Sequence, residues 1–231
     1  MKKTYAVSDL HGYLDLYKQI KNFIKPGDKV YFLGDATDRG PQSWELAKTI
    51  YNDPQFIYLK GNHEDMLVKA ALHYYGDDWD SEDNSYALIN NGGAKTWNDM
   101  SEDPEKMEYI QKLKSLPTEE IYLNKNNETI HLSHAGFSLG SKITNLLWDR
   151  GHFTDEWPKD KKDFYIVHGH TPVQYLRKVL YGNHVANKNA IEPEVYADGH
   201  KIDIDMATYF SKACCLLDLD TFEAYILQLK E

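Results

Sequence analysis

Aspartates, histidines, an asparagine and two arginines gather in six short motifs of this 231-residue chain. They read Ser8-Asp9-Leu10-His11-Gly12, Gly34-Asp35-Ala36-Thr37-Asp38-Arg39-Gly40, Gly61-Asn62-His63-Glu64, His134-Ala135-Gly136, Trp148-Asp149-Arg150 and Gly169-His170-Thr171. Carboxylate, amide and imidazole groups are donors to divalent metals, and arginine is a natural clamp for phosphate. Asp9 and His11 are close enough for one turn to offer both to one ion. Asp35 can bridge to a second ion, which Asn62, His134 and His170 can complete. Mixed oxygen and nitrogen donors suit Mn, Fe or Zn better than Ca, which prefers oxygen alone. Two such ions, about 3.5–4 Å apart, neutralise a phosphate ester and acidify a water for in-line attack.

Donors this far apart in sequence need a fold to assemble them. Tyr5-Ala6-Val7, Val30-Tyr31-Phe32-Leu33 and Phe56-Ile57-Tyr58-Leu59 read as strands, and each stops where a motif begins. Parallel strands place their carboxyl ends on one edge, where open α/β sheets bind ligands. Between them, residues 13–24 carry Leu16, Ile20, Phe23 and Ile24 at helical spacing and stop before Pro26-Gly27. Ser43 is placed to cap a helix that carries Trp44, Ala47 and Tyr51 on one face, and residues 64–75 read as a helix. A further helix begins at Asp103-Pro104, with Met107, Ile110 and Leu113 on one side. Strands then dominate: 121–123 and 129–132 around a hairpin-like turn, 164–167, 201–205, 213–218 and 222–229. A βαβαβ half followed by a β-rich half predicts two packed sheets with helices outside. The polar segments 76–101 and 182–200 read as a lid or insertion at the mouth of the cleft.

The length suits one α/β domain over residues 1–231. With 42% hydrophobic and 27% charged residues, the chain is not compositionally disordered. A net charge of −10 disfavours a nucleic-acid scaffold role but not a small phosphorylated ligand. Of three arginines, Arg39 and Arg150 fall inside motifs and Arg177 does not. Cys214 and Cys215 are adjacent within an apolar run, so they read as buried strand residues rather than a disulfide. That fits a reducing compartment, and no apolar run approaches a membrane span, so the expected location is the cytoplasm.

The ordered motifs resemble those of the PPP-type metallophosphatases in the calcineurin-like phosphoesterase superfamily, especially the short bacterial and phage Ser/Thr protein phosphatase branch. That pattern has a GD-x-HG, a GD-x-x-DRG and a GNHE motif, then two downstream histidines. The resemblance covers roughly residues 4–175 and the segment Ile202-Asp203-Ile204-Asp205, which is similar to a strand closing the second sheet of the family. It implies a sandwich of two mixed β-sheets flanked by helices, in four layers α/β/β/α. It implies that Asp9, His11 and Asp35 hold one metal, and Asp35, Asn62, His134 and His170 the other, with Mn first among the candidates. His63 would protonate the leaving oxygen, with Asp38 orienting its imidazole and keeping it charged. Arg39 and Arg150, with Asn62, would bind the phosphate oxygens. The implied activity is hydrolysis of a phosphomonoester on a phosphoprotein or a small molecule.

Two positions depart from the pattern. Ser8 replaces the usual glycine of the first motif, which implies a modest backbone adjustment, and Asp205-Met206-Ala207 stands where short relatives tend to have Asp-Thr-Gly. A symmetrical bis(5'-nucleosyl)-tetraphosphate hydrolase is the nearest competing reading, though those enzymes tend to lack the counterpart of Asp38 and to carry Asp at Glu64. A non-catalytic phosphate-binding module would be expected to lose a ligand, His63 or Asp38, and none is lost. Outside these roles, Glu64 reads as capping or positioning the helix after the third motif, Asp149 as structural, His168 as a hydrogen-bonded neighbour of the site and His131 as a strand residue that is packed or exposed rather than catalytic. His73, His152, His184 and His200 read as surface residues.

Overall fold

The computed structural model describes residues 2–76, 83–139, 145–183 and 189–230. Two five-stranded sheets form its centre. The first runs β10-β9-β1-β2-β3, with β1 Thr4–Val7, β2 Lys29–Phe32 and β3 Phe56–Tyr58 parallel. β9 (Ala213–Asp218) and β10 (Ala224–Gln228) join antiparallel. The second sheet runs β4-β5-β6-β8-β7, from β4 Glu119–Leu123, β5 Thr129–Ser133, β6 Phe164–His168, β7 Glu194–Tyr196 and β8 Lys201–Asp203. Here β5, β6 and β8 are parallel, and β4 and β7 are antiparallel edges. Both sheets are therefore mixed, as expected.

The sheets meet over a dry core of Ala6, Leu33, Cys215 and Leu217 from one side and Ile130, Leu132, Val167 and Ile202 from the other. Cys214 and Cys215 are free and buried on β9, on opposite faces as strand alternation requires. The outer face of the first sheet carries α1 (Leu14–Phe23), α2 (Ser43–Asn52) and α3 (Asn62–Tyr75), with α6 (Lys106–Lys114) packed on α3. On α1 Leu16 and Ile20 are buried as their spacing predicts, with Ile24 just beyond the helix and Leu14 at its start, whereas Phe23, expected on the same face, is exposed. Ser43 is the first residue of α2 rather than its cap, and its hydroxyl donates to the Gly40 carbonyl. On the second sheet, α7 (Val173–Tyr181) buries Leu176 against Phe153 and Tyr196. No helix among the described residues is long and apolar enough to cross a membrane.

The two polar segments differ from expectation. Within 76–101 lie two helices, α4 (Ser85–Asn90) and the start of α5 (Ala94–Glu102), which bury Leu88, Thr96 and Met100. Residues 77–82, and 184–188 of the other segment, lie outside the described residues. The rest of 182–200 includes β7, so β8 is an inner strand and β7 forms the edge of the sheet. Arg177 fastens this segment: its buried guanidinium donates to the carbonyls of Ala190 and Glu192 and to the Glu194 carboxylate. α7 itself was not foreseen. It follows Thr171-Pro172 directly and is amphipathic, a signal present in Val173, Leu176 and Arg177.

Candidate metal centre

The loops after β1, β2 and β3 lie side by side because those strands are parallel. Asp9 N–H donates to the Gly34 carbonyl (3.0 Å) and His11 N–H to the Asp35 carbonyl (2.9 Å). Asp9, His11, Asp35, Asp38, Arg39 and His170 all have positive φ, between 43° and 69°. Left-handed backbone costs a non-glycine residue roughly 1–2 kcal/mol, and such strain persists only where the surroundings over-determine it. Gly40 has the reverse role: a Cβ there would lie 1.9 Å from the His11 carbonyl oxygen, so only glycine lets the second motif close over the first.

Glu64 supplies much of the hold. Its buried carboxylate accepts N–H groups from Asp35 (2.8 Å), Ala36 (2.9 Å), Thr37 (3.1 Å) and Gly61 (2.9 Å), and the Thr37 hydroxyl (3.1 Å). It thus positions the second motif as well as the start of α3. Ser8 is buried and its hydroxyl donates to Asp9 Oδ2, so the departure from glycine adds a bond to a candidate ligand. Ala207 adopts φ 56°, ψ 50°, and its N–H donates to Asp205 Oδ1 (2.8 Å).

All six residues expected to hold metal are buried and converge. Asp35 belongs to two clusters whose ligand atoms lie within 4.8 Å of one another: His11, Asp35 and His63, and Asp35, His134 and His170. Asp9 Oδ1 lies 3.8 Å from His11 Nε2, and Asp9 Oδ2 accepts the His170 N–H (3.0 Å). Asn62 Oδ1 lies 2.8 Å from His134 Nε2 and 2.9 Å from His170 Nδ1.

The donors fit divalent ions. His134 Nδ1–H donates to the Leu33 carbonyl (2.7 Å), so Nε2 is the nitrogen left to offer a lone pair to an ion or, without one, to hold a proton. That nitrogen faces Asn62 Oδ1 at 2.8 Å and Asp35 Oδ2 at 3.4 Å, an arrangement of acceptors that needs a cation or a proton among them. Burial disfavours a charged His134, but the Asp35 and Asp9 carboxylates prevail and raise it to about 9. His11 has the same polarity: Nδ1–H donates to the Thr37 carbonyl (2.9 Å), and Nε2 receives an Arg39 N–H (2.7 Å). Burial, helped by His63 and Arg39, holds His11 well below its ordinary value. Among the described residues the buried Nε2 of His170 has no hydrogen-bond partner, and burial together with His134 lowers this group to about 2. Burial opposes ionisation of Asp35, yet His134, His63 and His11 hold its carboxyl well below the usual range. Burial pushes Asp9 up to about 6.

The residues expected to serve as acid and clamp also lie at or beside this centre. His63 Nδ1–H donates to Asp38 Oδ2 (2.7 Å), and its Nε2 receives the second Arg39 nitrogen (3.0 Å). Arg150 is exposed, with Nε donating to Thr171 Oγ1 (3.0 Å), next to His170. Trp148 sets its ring edge-on to His170 at 5.7 Å. Helices α4 and α5 touch the same loop: Arg39 N–H donates to the Gly92 carbonyl (3.1 Å), and Asp38 N–H to Thr96 Oγ1 (3.1 Å).

Other histidines sort differently from expectation. His168 is buried and hydrogen-bonded as expected, and His131, whose sequence context allows packing or exposure, is packed in β5 and bonded to Glu119. His152 is not a surface residue: it is fully buried, under the His134 loop. His200 is half-buried and stacked on Trp157, and His73 is half-buried on α3; His184 lies outside the described residues. Asp149 is structural, accepting the Gly151 N–H (2.8 Å). Sequence reasoning missed Lys201 and Tyr196, both buried beside His152, and the buried carboxyls Asp203 and Asp205. Burial and neighbouring carboxylates raise both carboxyls well above the usual range. No periodicity marks such residues; their places on β7 and β8, and for Asp205 just beyond β8, bring them here.

This fold and centre define a metallophosphoesterase, and the chain belongs to the calcineurin-like phosphoesterase family, which matches residues 2–204. Among its relatives is the asymmetrical bis(5'-nucleosyl)-tetraphosphatase PrpE of Bacillus subtilis, 27% identical over 206 residues, covering 75% of this chain and 80% of that one. Serine/threonine-protein phosphatase 2 of Escherichia coli is 28% identical over 155 residues, covering 62% and 66%. In fold the chain is similar to a protein serine/threonine phosphatase from Saccharomyces cerevisiae, with TM-score 0.62 at 16% identity over 100% of this chain and 81% of that one. The chain is a hydrolase of phosphoester bonds.

Proposed function

We propose that the protein is a two-metal phosphomonoesterase acting on a phosphorylated side chain or a small phosphoester. The observation that carries this reading is the His63–Asp38 pair, at 2.7 Å, with His63 Nε2 turned toward Asp35 and Arg39. A phosphate seated there would meet a candidate proton donor, a guanidinium and two sets of metal donors at once. Asp9, His11 and Asp35 would hold one ion, and Asp35, Asn62, His134 and His170 the other. Bound ions, Mn foremost and Fe or Zn as alternatives, would neutralise the phosphate and acidify the attacking water.

The chain's own groups do the rest. Arg39 and Arg150 bind phosphate oxygens, and their hold tightens as charge accumulates in the transition state. Asn62 offers its amide N–H to the phosphate while its oxygen faces His134 and His170. Once Arg39 turns from His63 Nε2 to a phosphate oxygen, that nitrogen can take up a proton and deliver it to the leaving oxygen, and Asp38 keeps the imidazole oriented by accepting Nδ1–H. His63 lies close enough to Asp35 to join a metal cluster, but its bond to Asp38 supports the acid role.

A second reading is hydrolysis of dinucleoside tetraphosphates, favoured by the PrpE relative that spans most of the chain. Protein stripped of metal and reloaded with Mn²⁺ should release phosphate from p-nitrophenyl phosphate and phosphopeptides. Nucleotide products from diadenosine tetraphosphate, with phosphopeptides untouched, would establish the second reading. No turnover of either class with Mn²⁺, Fe²⁺ or Zn²⁺ would reject both.

A further inference from the structure

Four buried polar side chains lie behind the metal centre and take no part in the chemistry above: His152, His168, Tyr196 and Lys201. Lys201 is the most conspicuous. It is 1% exposed, and among the described residues no carboxylate lies within 4.0 Å of its ammonium. Burying an unpaired ammonium costs several kcal/mol, so its hydrogen bonds matter. Nζ donates to the His152 carbonyl (2.8 Å) and to His152 Nδ1 (3.2 Å).

An ammonium has no lone pair, so His152 Nδ1 must accept, and the ring proton sits on Nε2. Nε2–H then donates to the carbonyl of Ala135, the residue after His134 (2.8 Å). The ring fills space that a side chain at Gly136 would need: a Cβ there would lie 2.9 Å from His152 Cε1. His168 has the opposite tautomer. Its Nδ1–H donates to the carbonyl of Gly169, the residue before His170 (3.0 Å), and its Nε2 accepts the Tyr196 hydroxyl (2.7 Å). The two loops are themselves joined, Gly169 N–H donating to the His134 carbonyl (2.8 Å). Tyr196 and Lys201 are directly opposite each other in the β7–β8 pair, so the edge of the second sheet delivers both donors together.

We infer that Lys201 and Tyr196 are positioning residues that lock His152 and His168 in opposite tautomers and so fix the loops carrying His134 and His170. This rests on those two histidines being metal ligands. Removing either donor leaves the tautomer held by its carbonyl bond alone, so the other tautomer gains population, turns a lone pair toward that carbonyl and loosens the loop beside a ligand.

The test uses full-length protein loaded with Zn²⁺, which is diamagnetic, and reads ring ¹⁵N shifts and Zn²⁺ binding isotherms. Wild type should show His152 protonated at Nε2 and His168 at Nδ1. Lys201→Met should give mixed tautomers at His152 and bind the weaker Zn²⁺ about 10-fold less tightly. Tyr196→Phe, which keeps the aromatic packing, should do the same at His168. His152→Gln, whose amide N–H can reach the Ala135 carbonyl, should stay within about threefold of wild type, while His152→Leu should match Lys201→Met. Unchanged tautomers and affinities in Lys201→Met and Tyr196→Phe would overturn the inference. So would equal affinity losses in His152→Gln and His152→Leu, which would indicate packing alone. Wild type that takes up no Zn²⁺ would instead overturn the metal reading, and this inference with it.

Discussion

His63 Nδ1–H donates to Asp38 Oδ2 across 2.7 Å, and both side chains are sealed from solvent. If the pair serves to protonate a leaving oxygen, its value depends on how badly that oxygen needs a proton. Asp38→Asn and His63→Asn should lower kcat on alkyl phosphates by ~10²–10⁴-fold. The loss on p-nitrophenyl phosphate, whose leaving group departs without help, should be much smaller. Comparing the two substrates checks this, and equal losses would count against the acid role.

Asp35 is shared by both candidate clusters. Asp35→Asn should therefore remove one or both ions, and elemental analysis of the dialysed protein reads the stoichiometry directly. Chelation of wild type should abolish turnover, and Mn²⁺ should restore it. Full metal content in Asp35→Asn would place the bridging role elsewhere.

Glu64 satisfies four backbone N–H groups and one hydroxyl with two oxygens. Glu64→Gln leaves one oxygen and turns an NH₂ toward N–H donors. Losing bonds to a buried charged group costs about 1.5–3 kcal/mol each, with partial recovery by rearrangement, so we expect a net loss of about 3 kcal/mol. In a chain of this size that is a fall of roughly 6–12 °C in Tm, read by calorimetry.

Ala207 holds a left-handed conformation at φ 56°, ψ 50°. Ala207→Gly removes the Cβ conflict at some cost in chain entropy, for a net gain of about 0.5–1 kcal/mol. Tm should rise by roughly 1–4 °C. An unchanged or lower Tm would mean that the alanine methyl contributes packing equal to the strain.

Burial and the adjacent Lys201 ammonium lower His152 from 6.5 to about 4. Between those values the unfolded chain binds a proton on this ring that the native protein refuses. Native stability from this group is therefore intact above pH 6.5 and falls as pH drops toward 4, by at most about 1.4 kcal/mol per unit. Urea midpoints from pH 7 to 5 should fall less steeply in His152→Gln than in wild type. Carboxylates contribute to both proteins, so the difference isolates the imidazole.

Much of the centre was legible because strand ends and motifs coincide. Val7, Leu33 and Leu59 finish apolar runs just before Asp9, Asp35 and Asn62, and parallel pairing does the rest. The helices at 85–90 and 94–102 were not legible as such, since polar residues and the Gly92-Gly93 pair mask the spacing of Leu88, Thr96 and Met100. His152 shows the limit of local reading. It sits in a 3-10 turn with no repeating pattern, and its burial depends on Tyr196 and Lys201 arriving from strands some 45 residues later.

The Arg39 N–H held by Gly92, and the Asp38 N–H held by Thr96, tie the His63–Asp38 end of the centre to helices α4 and α5, which among the described residues supply none of the candidate metal ligands. The second motif, which carries Asp35 as well as Asp38 and Arg39, is thus braced from outside by residues that are not themselves candidate ligands. A change at Gly92 or Thr96 therefore reaches the site through the backbone of a single loop, without replacing any donor atom.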